Sequence, residues 1–370
     1  MSETRIGIAG FLDQYARYSD FYGFIKEQAP YAMDSNFTYE LVNGGGNSQD
    51  NSSRSFEGNL DTQYASTLAY PNSGIYYSNG KRGPLVPEPE QPSEEYNQNE
   101  PFLDFLHYLL ALPDDQLPNV ITTSYGENEQ SVPPSYANMT CSLYAQLGAR
   151  GVSMLFSSGD TGVGYYCAKN DGSYSPRFEA TWPASCPFVT AVGGTYAINP
   201  ERAVGFSGGG FSDLFPRPAY QDDAVPRFLK GVSSYWDAFY NKEGRGIPDV
   251  SAQARNYVIM DKGKFATISG TSCSSPTFAA VISLLNSDRL SRGQKPLGFL
   301  NPFIYRYGAR ALNDITVGRS IGCLGREELE GAPYINITGA GFAATRGWDP
   351  VTGMGTPNFP RLLEISRRQY

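Results

Sequence analysis

The stretch VSMLFSSGD, residues 152–160, predicts a short buried strand that ends in a turn with an acidic residue. Two similar apolar runs, VITTSYG at 120–126 and PFVTAVGG at 187–194, also end in glycine-containing turns. A helix is expected at about residues 135–149, between the first two strands of this set. Short apolar strands separated by helices favour an α/β fold with a mostly parallel sheet covered on both faces. A functional site in such a sheet lies beyond the carboxyl ends of its strands, where all three turns fall.

The same alternation of strands and helices is found in the N-terminal part of the chain. Strands are predicted at RIGIAGF (5–11) and FTYELV (37–42), and helices at 20–28, 57–68 and 101–112. The stretch 79–100 is polar and proline-rich, which predicts a surface loop or a linker.

Composition and charge exclude several classes of protein. Hydrophobic residues make up 40% of the 370 residues and charged residues 18%, which indicates a globular chain. The net charge of −8 argues against a nucleic-acid partner, because phosphate binding needs a basic surface. No apolar run reaches the ~20 residues that a membrane-crossing helix needs, so no membrane partner is expected.

The five cysteines have no spacing that is typical of a zinc site. Cys167 and Cys186 flank a loop rich in Gly, Ser and Pro, and a disulfide between them would close it. The odd number leaves at least one unpaired thiol in a monomer. Sequons for N-glycosylation occur at Asn36, Asn51, Asn138 and Asn336, which gives modest support to secretion.

The stretch SGTSCSSP, residues 269–276, places Ser272 where a strand-like run gives way to a helix. A helix N-terminus offers free N–H groups that can hold an oxyanion, although the same pattern also fits a plain helix cap. A serine nucleophile needs a base, and the chain contains one histidine, His107. Because apolar residues surround His107 on a predicted helix, a structural role is expected for it. The base of a nucleophilic Ser272 would then be a carboxylate.

Several blocks of sequence together resemble one family. They are FEGNLDTQY, TSYGE, SSGDTGVG, TWPASCPFVTAVGGT, FSGGGFSDLFPRPAYQ, GIPDVSA, GTSCSSP, LNDIT and GWDPVTGMGTPNF. On these blocks the chain resembles the sedolisin family of serine-carboxyl peptidases, in particular its fungal secreted tripeptidyl peptidases. The resemblance covers essentially the whole chain and implies a subtilisin-like fold.

The resemblance implies a role for each of four catalytic residues. Glu57 and Asp61 stand four apart, so both point from one face of a helix. Glu57 is implied as general base to Ser272, with Asp61 as the supporting second carboxylate. Asp160 is implied as an oxyanion donor, which requires its protonated form because a carboxylate has no donor. Taken without the resemblance, the first two would fit a solvated acidic helix face and Asp160 a turn.

A calcium site near the C-terminus is also implied by the resemblance. Its ligands would be the carboxylates of Asp314 and Asp349 and the backbone carbonyls of Ile315, Thr345 and Gly347. With a water, the number of oxygen ligands reaches about six, which is normal for calcium. We expect one ion with a structural role.

Substrate contacts are expected at the turn after residue 123. The backbone of Ser124, Tyr125 and Gly126 can pair with an extended peptide as an added strand. In tripeptidyl relatives acidic groups bind the free amine of the substrate, and Glu127 and Glu129 are candidates for this role.

These expectations combine into one interpretation. Residues 1–370 would form one sedolisin-type domain, truncated at its N-terminal edge and without signal peptide or pro-region. It would be a secreted monomer, or else reside in a vacuolar or lysosome-like compartment. It would release tripeptides from free N-termini of peptides and proteins, with maximal turnover below neutral pH. The alternatives are an endopeptidase of the same family and an inactive, truncated sedolisin-like binding protein.

Overall fold

The computed structural model describes residues 4–52, 54–325 and 334–368. The helices are α1 (Tyr18–Gln28), α2 (Phe56–Leu68), α3 (Phe102–Ala111), α4 (Pro134–Ala149), α5 (Val225–Leu229), α6 (Thr271–Ser291), α7 (Asn301–Ala311) and α8 (Phe359–Ser366). The strands are β1 (Arg5–Gly10), β2 (Phe37–Val42), β3 (Ser73–Asn79), β4 (Val120–Thr123), β5 (Glu127–Asn128), β6 (Ser153–Ser157), β7 (Thr181–Trp182), β8 (Thr190–Tyr196), β9 (Arg202–Ala203), β10 (Gly210–Pro216), β11 (Gly244–Ile247), β12 (Val250–Gln253), β13 (Tyr257–Asp261), β14 (Lys264–Ile268), β15 (Leu312–Asn313) and β16 (Thr356–Pro357).

The central sheet has the strand order β2-β3-β1-β4-β6-β8-β12, and all of these strands are parallel. Only the short β9, which pairs with β8 at the edge of this path, is antiparallel within the described sheet. The predicted α/β class with a mostly parallel sheet is therefore confirmed. The strand-like run before Ser272 is also a strand, β14, but it lies outside this sheet in a hairpin with β13.

Both faces of the sheet are buried, because side chains alternate along each strand. On β6, Met154 and Phe156 pack into one hydrophobic cluster with α3 and α4. Leu155 faces the opposite side, where the cluster includes residues of α1, α2, α6, α7 and α8. Each large side chain buried in this way contributes about 1.5–3 kcal/mol to folding. The two helical layers thus fix the sheet, and the sheet fixes the turns at its carboxyl ends.

The polar stretch 79–100 is more than a surface loop, so that expectation was wrong in part. Glu88, Gln91, Asn97, Asn99 and Glu100 are buried. Asn99 holds the segment in place by donating to the carbonyls of Pro84 and Ser131. Hydrogen bonds from side-chain amides hold this segment in place although it has little regular structure. Composition alone does not indicate these hydrogen bonds.

Cys167 and Cys186 are not bonded to each other, so the disulfide considered for this loop does not form. Cys141 is bonded to Cys186 and Cys167 to Cys323, while Cys273 is a buried free thiol. Cys141 lies on α4, and α4 packs close to the turn that contains Cys186. The unpaired thiol expected from the odd count is present.

The single histidine is not a core residue. His107 is exposed on α3, so the expectation of an apolar environment was wrong. Its apolar neighbours Phe105, Leu106 and Leu109 face the core while the imidazole faces outward. Within the described ranges, no helix combines the length and the apolar character needed to cross a membrane.

Candidate active site

Ser272 lies in the first turn of α6, at the carboxyl end of the sheet. Its Oγ is 3.5 Å from the backbone carbonyl oxygen of Ser124, the residue that follows β4. The side chain is partly exposed, whereas Thr271 and Cys273 on either side are buried. The serine hydroxyl is therefore accessible to a ligand and held by buried neighbours.

Glu57 and Asp61 reach the same place from α2, which packs against α6. Asp61 is fully buried, and its Oδ1 accepts a hydrogen bond of 2.7 Å from the Ser124 hydroxyl. The same hydroxyl lies 3.3 Å from the backbone carbonyl oxygen of Ser272. Ser124 thus connects the acidic helix with the helix that carries Ser272.

Burial is the main cause of the raised pKa of Glu57, and the charge of Asp160 adds to it. The Ser272 and Ser124 hydroxyls oppose this effect, because they can donate to the Glu57 carboxylate. Burial, together with the charge of Glu57, also raises the pKa of Asp61. Glu57 Oε1 and Asp61 Oδ2 are buried without a hydrogen-bond partner among the described residues. Two close carboxyls of this kind lose their protons in separate steps, so one can accept a proton while the other retains one.

The start of α2 is fixed by close packing and by buried hydrogen bonds. A Cβ on Gly58 would come within 2.9 Å of the backbone of Tyr15 and Ala16, so only glycine allows this approach. The Asn59 amide donates to Asp20 and Asp261, and its oxygen accepts from the backbone N–H of Arg17. These contacts hold the flanking Glu57 in position.

Asp160 follows β6 and contacts the N-terminus of α6. Its Oδ1 accepts hydrogen bonds from the backbone N–H of Thr271 (2.7 Å) and from the Thr271 hydroxyl (2.8 Å). Although the residue as a whole is exposed to the cleft, desolvation of its carboxyl group raises the pKa, and the Thr271 hydrogen bonds oppose this. A Cβ on Gly270 would lie 2.6 Å from Asp160 Oδ2. The missing side chain of Gly270 therefore makes room for the carboxyl group.

The proposed substrate residues divide into two groups. Ser124, Tyr125 and Gly126 form the turn after β4, and Gly126 is exposed there while the Tyr125 ring is buried. Glu127 lines a cleft that also borders Asp160.

Glu129 lies outside this cleft and is saturated with hydrogen bonds. One carboxylate oxygen accepts from the Ser185 and Ser212 hydroxyls, and the other accepts from the backbone N–H groups of Asp213 and Leu214. This speaks against Glu129 as a receptor for a substrate amine.

The five residues expected to bind calcium lie around one loop, residues 345–347. Gly347 N–H donates to Asp314, and Thr345 N–H donates to Asp349. Asp349 is fully buried and burial raises its pKa to about 7, whereas Asp314 is exposed. No cluster of three or more acidic, His or Cys side chains suited to a metal occurs among the described residues.

Comparison with known proteins identifies the family. The family described as "Subtilase family" matches this chain over residues 94–295, which is more than half of its length. The chain belongs to the subtilase family.

Among curated proteins, this subtilase is similar to the "Probable tripeptidyl-peptidase SED3" of Trichophyton verrucosum, with 54% identity over 97% of this chain and 60% of that protein. It is also similar to the "Probable tripeptidyl-peptidase SED2" of Arthroderma benhamiae, with 50% identity over 98% of this chain and 61% of that protein. The chain thus spans about 60% of the length of these relatives.

Among solved structures, Pseudomonas sedolisin, a serine-carboxyl proteinase complexed with two molecules of pseudo-iodotyrostatin, superposes with a TM-score of 0.65. The two chains are 21% identical in sequence. The superposition covers 99% of this chain and 93% of that one. This likeness shows a shared subtilisin-like fold. The resemblance to the sedolisin family that the sequence indicated is confirmed.

Sequence reasoning missed several groups of this subtilase that complete the site. They are the Ser124 hydroxyl, Gly270, Thr271 and Glu100, a second buried acid in the cleft. Ser124 was considered only for its backbone. The signal for Gly270 is its place directly before the Thr271–Ser272 pair, because glycine allows another group to approach the backbone closely.

Proposed function

We propose that this subtilase is a serine-carboxyl peptidase that releases tripeptides from the free N-termini of polypeptides. The observation that carries the proposal is the link from Ser272 through Ser124 to the half-buried Glu57 and the buried Asp61, with Asp160 at the same helix end. The only imidazole of the chain lies on α3, whose main helix neighbour is α4 rather than α6. The names of the relatives support the tripeptidyl mode.

In the proposed reaction Ser272 Oγ forms a bond to the substrate carbonyl carbon while Glu57 takes the hydroxyl proton. Asp61, held by Ser124, shares proton transfer with Glu57. The carbonyl oxygen becomes an oxyanion next to Asp160. Because Thr271 occupies Asp160 Oδ1, the Oδ2 atom is left to carry the proton that is donated to this oxyanion. Glu57 then protonates the leaving amine, and water hydrolyses the acyl-enzyme.

This mechanism requires an ionised base pair and a protonated Asp160 at the same time. A bell-shaped pH profile follows, with a rising limb from the Glu57–Asp61 pair and a falling limb from Asp160. Burial raises the pKa of all three carboxyls, so they titrate above the range of exposed acids. We therefore expect turnover to peak at a higher pH than exposed carboxyls would give.

The function is tested with peptides whose N-terminus is free or acetylated. The purified protein should release tripeptides from the free peptide and lose activity on the acetylated one. Ser272→Ala should abolish both the cleavage and labelling by a serine-directed phosphonate probe. Equal cleavage of the acetylated peptide would indicate an endopeptidase, and a folded wild type without cleavage or labelling would favour an inactive binding protein.

We also propose that Asp314 and Asp349 hold one calcium ion with the carbonyls of Ile315, Thr345 and Gly347. The donor set suits calcium, which prefers carboxylate and carbonyl oxygens. None of the three carbonyls accepts a hydrogen bond from the described part of the chain, so their oxygens are free for a cation. A bound ion would stabilise the charged form of the buried Asp349. Its role is structural, since these residues do not contact Glu57, Asp160 or Ser272.

Calcium binding to the folded state alone raises its stability by mass action. We expect a chelator, or Asp314→Ala, to lower Tm by several degrees, and added Ca²⁺ to restore the chelated wild type. Asp34→Ala, which removes another exposed aspartate, is the control and should keep the response to chelator. Identical melting of wild-type protein with and without chelator would contradict the site.

We infer that the protein acts outside the cell. The two disulfides favour an oxidising compartment, and the asparagines of all four sequons are exposed. Recovery of N-glycosylated protein from the culture medium of a fungal expression host would support secretion. Retention in a vacuolar fraction would favour the alternative compartment.

A further inference from the structure

A cleft of about 560 Å³ lies between the turns that follow β4 and β6. Gly126 and Asp160 stand on its two sides. The cleft is strongly acidic: the carboxyl-bearing residues along it are Glu90, Glu95, Glu100, Glu127, Asp160 and Glu179. Neither a lysine, an arginine nor a histidine is among the described residues that line it. Its volume and charge suit a long cationic group.

The innermost acids are Glu100 and Glu127, with exposed fractions of 3% and 7%. Glu127 Oε1 accepts a 2.9 Å hydrogen bond from the backbone N–H of Glu100, which fixes the two residues relative to each other. The Oε2 atoms of both residues are buried and accept no hydrogen bond from an N–H or hydroxyl group of the described residues, although the two carboxyls can share a proton with each other. Unsatisfied buried acceptors are costly, and two of them on one cleft are complementary to a donor with several N–H groups.

Burial favours the protonated forms of both acids of this pair. Burial raises the pKa of Glu100 and of Glu127, and the charge of Glu100 raises that of Glu127 further. A cation bound between them would favour the charged forms and reverse this direction.

The cleft is adjacent to the reaction centre. If Asp160 binds the oxyanion, the carbonyl under attack lies at the mouth of the cleft. The side chain of the residue that carries this carbonyl can then extend past Asp160 into the cleft. Tyr96 and Tyr166 line the walls, and tyrosine rings pack well against the aliphatic part of a long basic side chain.

We propose that this cleft is a specificity pocket for a lysine or arginine immediately before the scissile bond, with Glu100 and Glu127 as receptors of its charge. This inference rests on the proposed peptidase function and adds a preference for a class of substrate. The same organic-cation chemistry is offered by the α-ammonium group of the substrate, so the test separates the two sources.

The test compares three tripeptide amides with a fluorogenic leaving group: Ala-Ala-Arg, Ala-Ala-norleucine and Ala-Ala-Glu. Norleucine matches the aliphatic part of a basic side chain without its charge. We expect kcat/KM for the arginine substrate to exceed that for norleucine about tenfold or more, with glutamate poorest. Glu127→Gln and Glu100→Gln should each reduce the arginine-to-norleucine ratio toward one. Glu27→Gln, the same change at an exposed site on α1, should preserve the ratio.

A ratio near one in the wild type, or a ratio that survives both substitutions, would overturn the proposal. The proposal would also fail if Glu127→Gln and Glu100→Gln lost kcat/KM equally on the arginine and norleucine substrates and this loss disappeared when the N-termini of the substrates were acetylated. That pattern would assign the pair to the α-ammonium group.

Calorimetry with butylguanidine provides a readout that does not need catalysis. We expect butylguanidine to bind the wild type and to bind Glu127→Gln about tenfold more weakly, while 1-pentanol, a neutral analogue, binds neither. If the wild type hydrolyses none of the peptides, the peptidase function fails while this binding measurement still decides the cation site. Absence of butylguanidine binding to the wild type would refute the site, even if one of the variants failed to fold.

Discussion

Two pairs of acids, the half-buried Glu57 with the buried Asp61 and the buried Glu100 with Glu127, lie at the carboxyl end of the same sheet but face different groups. Each pair has two carboxylate oxygens without a partner among the described residues, and burial raises the pKa of all four side chains. The first pair faces the hydroxyls of Ser272 and Ser124, and the second faces an acidic cleft. Free oxygens and shifted pKa values therefore mark both pairs as unusual. The neighbouring groups distinguish a proton acceptor from a cation receptor.

Glu129 provides the contrast to both pairs. It is two residues from Glu127 and equally buried, yet its oxygens accept four hydrogen bonds from hydroxyls and backbone N–H groups. Those donors use its acceptor capacity for structure. At Glu129, unlike at Glu100 and Glu127, these hydrogen bonds compensate for the burial of both carboxylate oxygens.

The largest effect should separate the two pairs directly. Glu57→Gln keeps the shape of the side chain but removes the base, so we expect turnover of every peptide to fall by roughly 10⁴-fold. Glu127→Gln should cause a loss that depends on substrate charge, severe for arginine and much smaller for norleucine. Steady-state kinetics on both substrates check this, with circular dichroism to confirm folding. If both variants lost the same amount of turnover on both substrates, the two pairs could not be assigned different roles.

A smaller effect should follow from moving Asp160 alone. In Gly270→Ala the new Cβ would collide with Asp160 Oδ2, the end of a side chain that can swing away. The fold should therefore persist while kcat falls by about 10²-fold, the cost typical of a misplaced catalytic group. Gly231→Ala is the matched control, because its Cβ would meet only the Phe228 carbonyl at 3.5 Å. Wild-type activity of Gly270→Ala would show that the position of Asp160 is unimportant.

The next effect concerns the shape of the pH profile. Loss of the Asp160 proton should cause the falling limb, and an asparagine amide donates a hydrogen bond without needing that proton. Asp160→Asn should therefore retain measurable turnover and move its falling limb upward by about one pH unit or more. The rising limb, which belongs to Glu57 and Asp61, should move little. An unchanged falling limb would assign it to another group.

The smallest effect is on stability and concerns Glu88, a buried acid whose two oxygens lack partners among the described residues. Burial raises its pKa well above that of an exposed glutamate, and the charges of Glu179 and Glu90 add to this. Its protonated form is therefore favoured in the folded state. The associated stability is fully present below the unfolded-state pKa of about 4.3 and is lost as pH rises through the folded-state pKa.

Glu88→Gln removes this ionisation while it keeps the size of the side chain. We expect wild-type Tm to fall between pH 4 and pH 7.5, and the variant to lose a few degrees less over the same range. Glu27→Gln, exposed on α1, should follow the wild type. Parallel Tm curves for wild type and Glu88→Gln would mean that Glu88 does not couple folding to pH.

The sequence predicted the parts of this subtilase that depend on local pattern. The α2 helix and the strands β4, β6 and β8 follow from periodicity, and parallel strands necessarily bring their carboxyl ends together. This is why Ser124 and Asp160 could be placed near each other. Glu57, Asp61 and Ser272 were assigned through family resemblance, and the packing of α2 on α6 brings them to the same edge.

What failed depends on contacts between distant segments. Cys167 pairs with Cys323, 156 residues away, and nothing local distinguishes this partner from Cys186. Glu100 ends a polar stretch that looks solvent-exposed, and only tertiary packing buries it against Glu127. From the sequence alone, Glu127 and Glu129 are equivalent candidates for a substrate-binding role. Their different roles are set by Ser185 and Ser212, which come from other parts of the chain.

The two disulfides overlap along the chain, since Cys167 lies between Cys141 and Cys186 while Cys323 lies beyond them. A single backbone cut anywhere from residue 142 to residue 322 therefore leaves the two fragments covalently joined. This span contains Asp160 and Ser272. A molecule nicked once by a neighbouring protease would migrate as an intact chain until reduced, and its reacting groups would stay tethered despite the break.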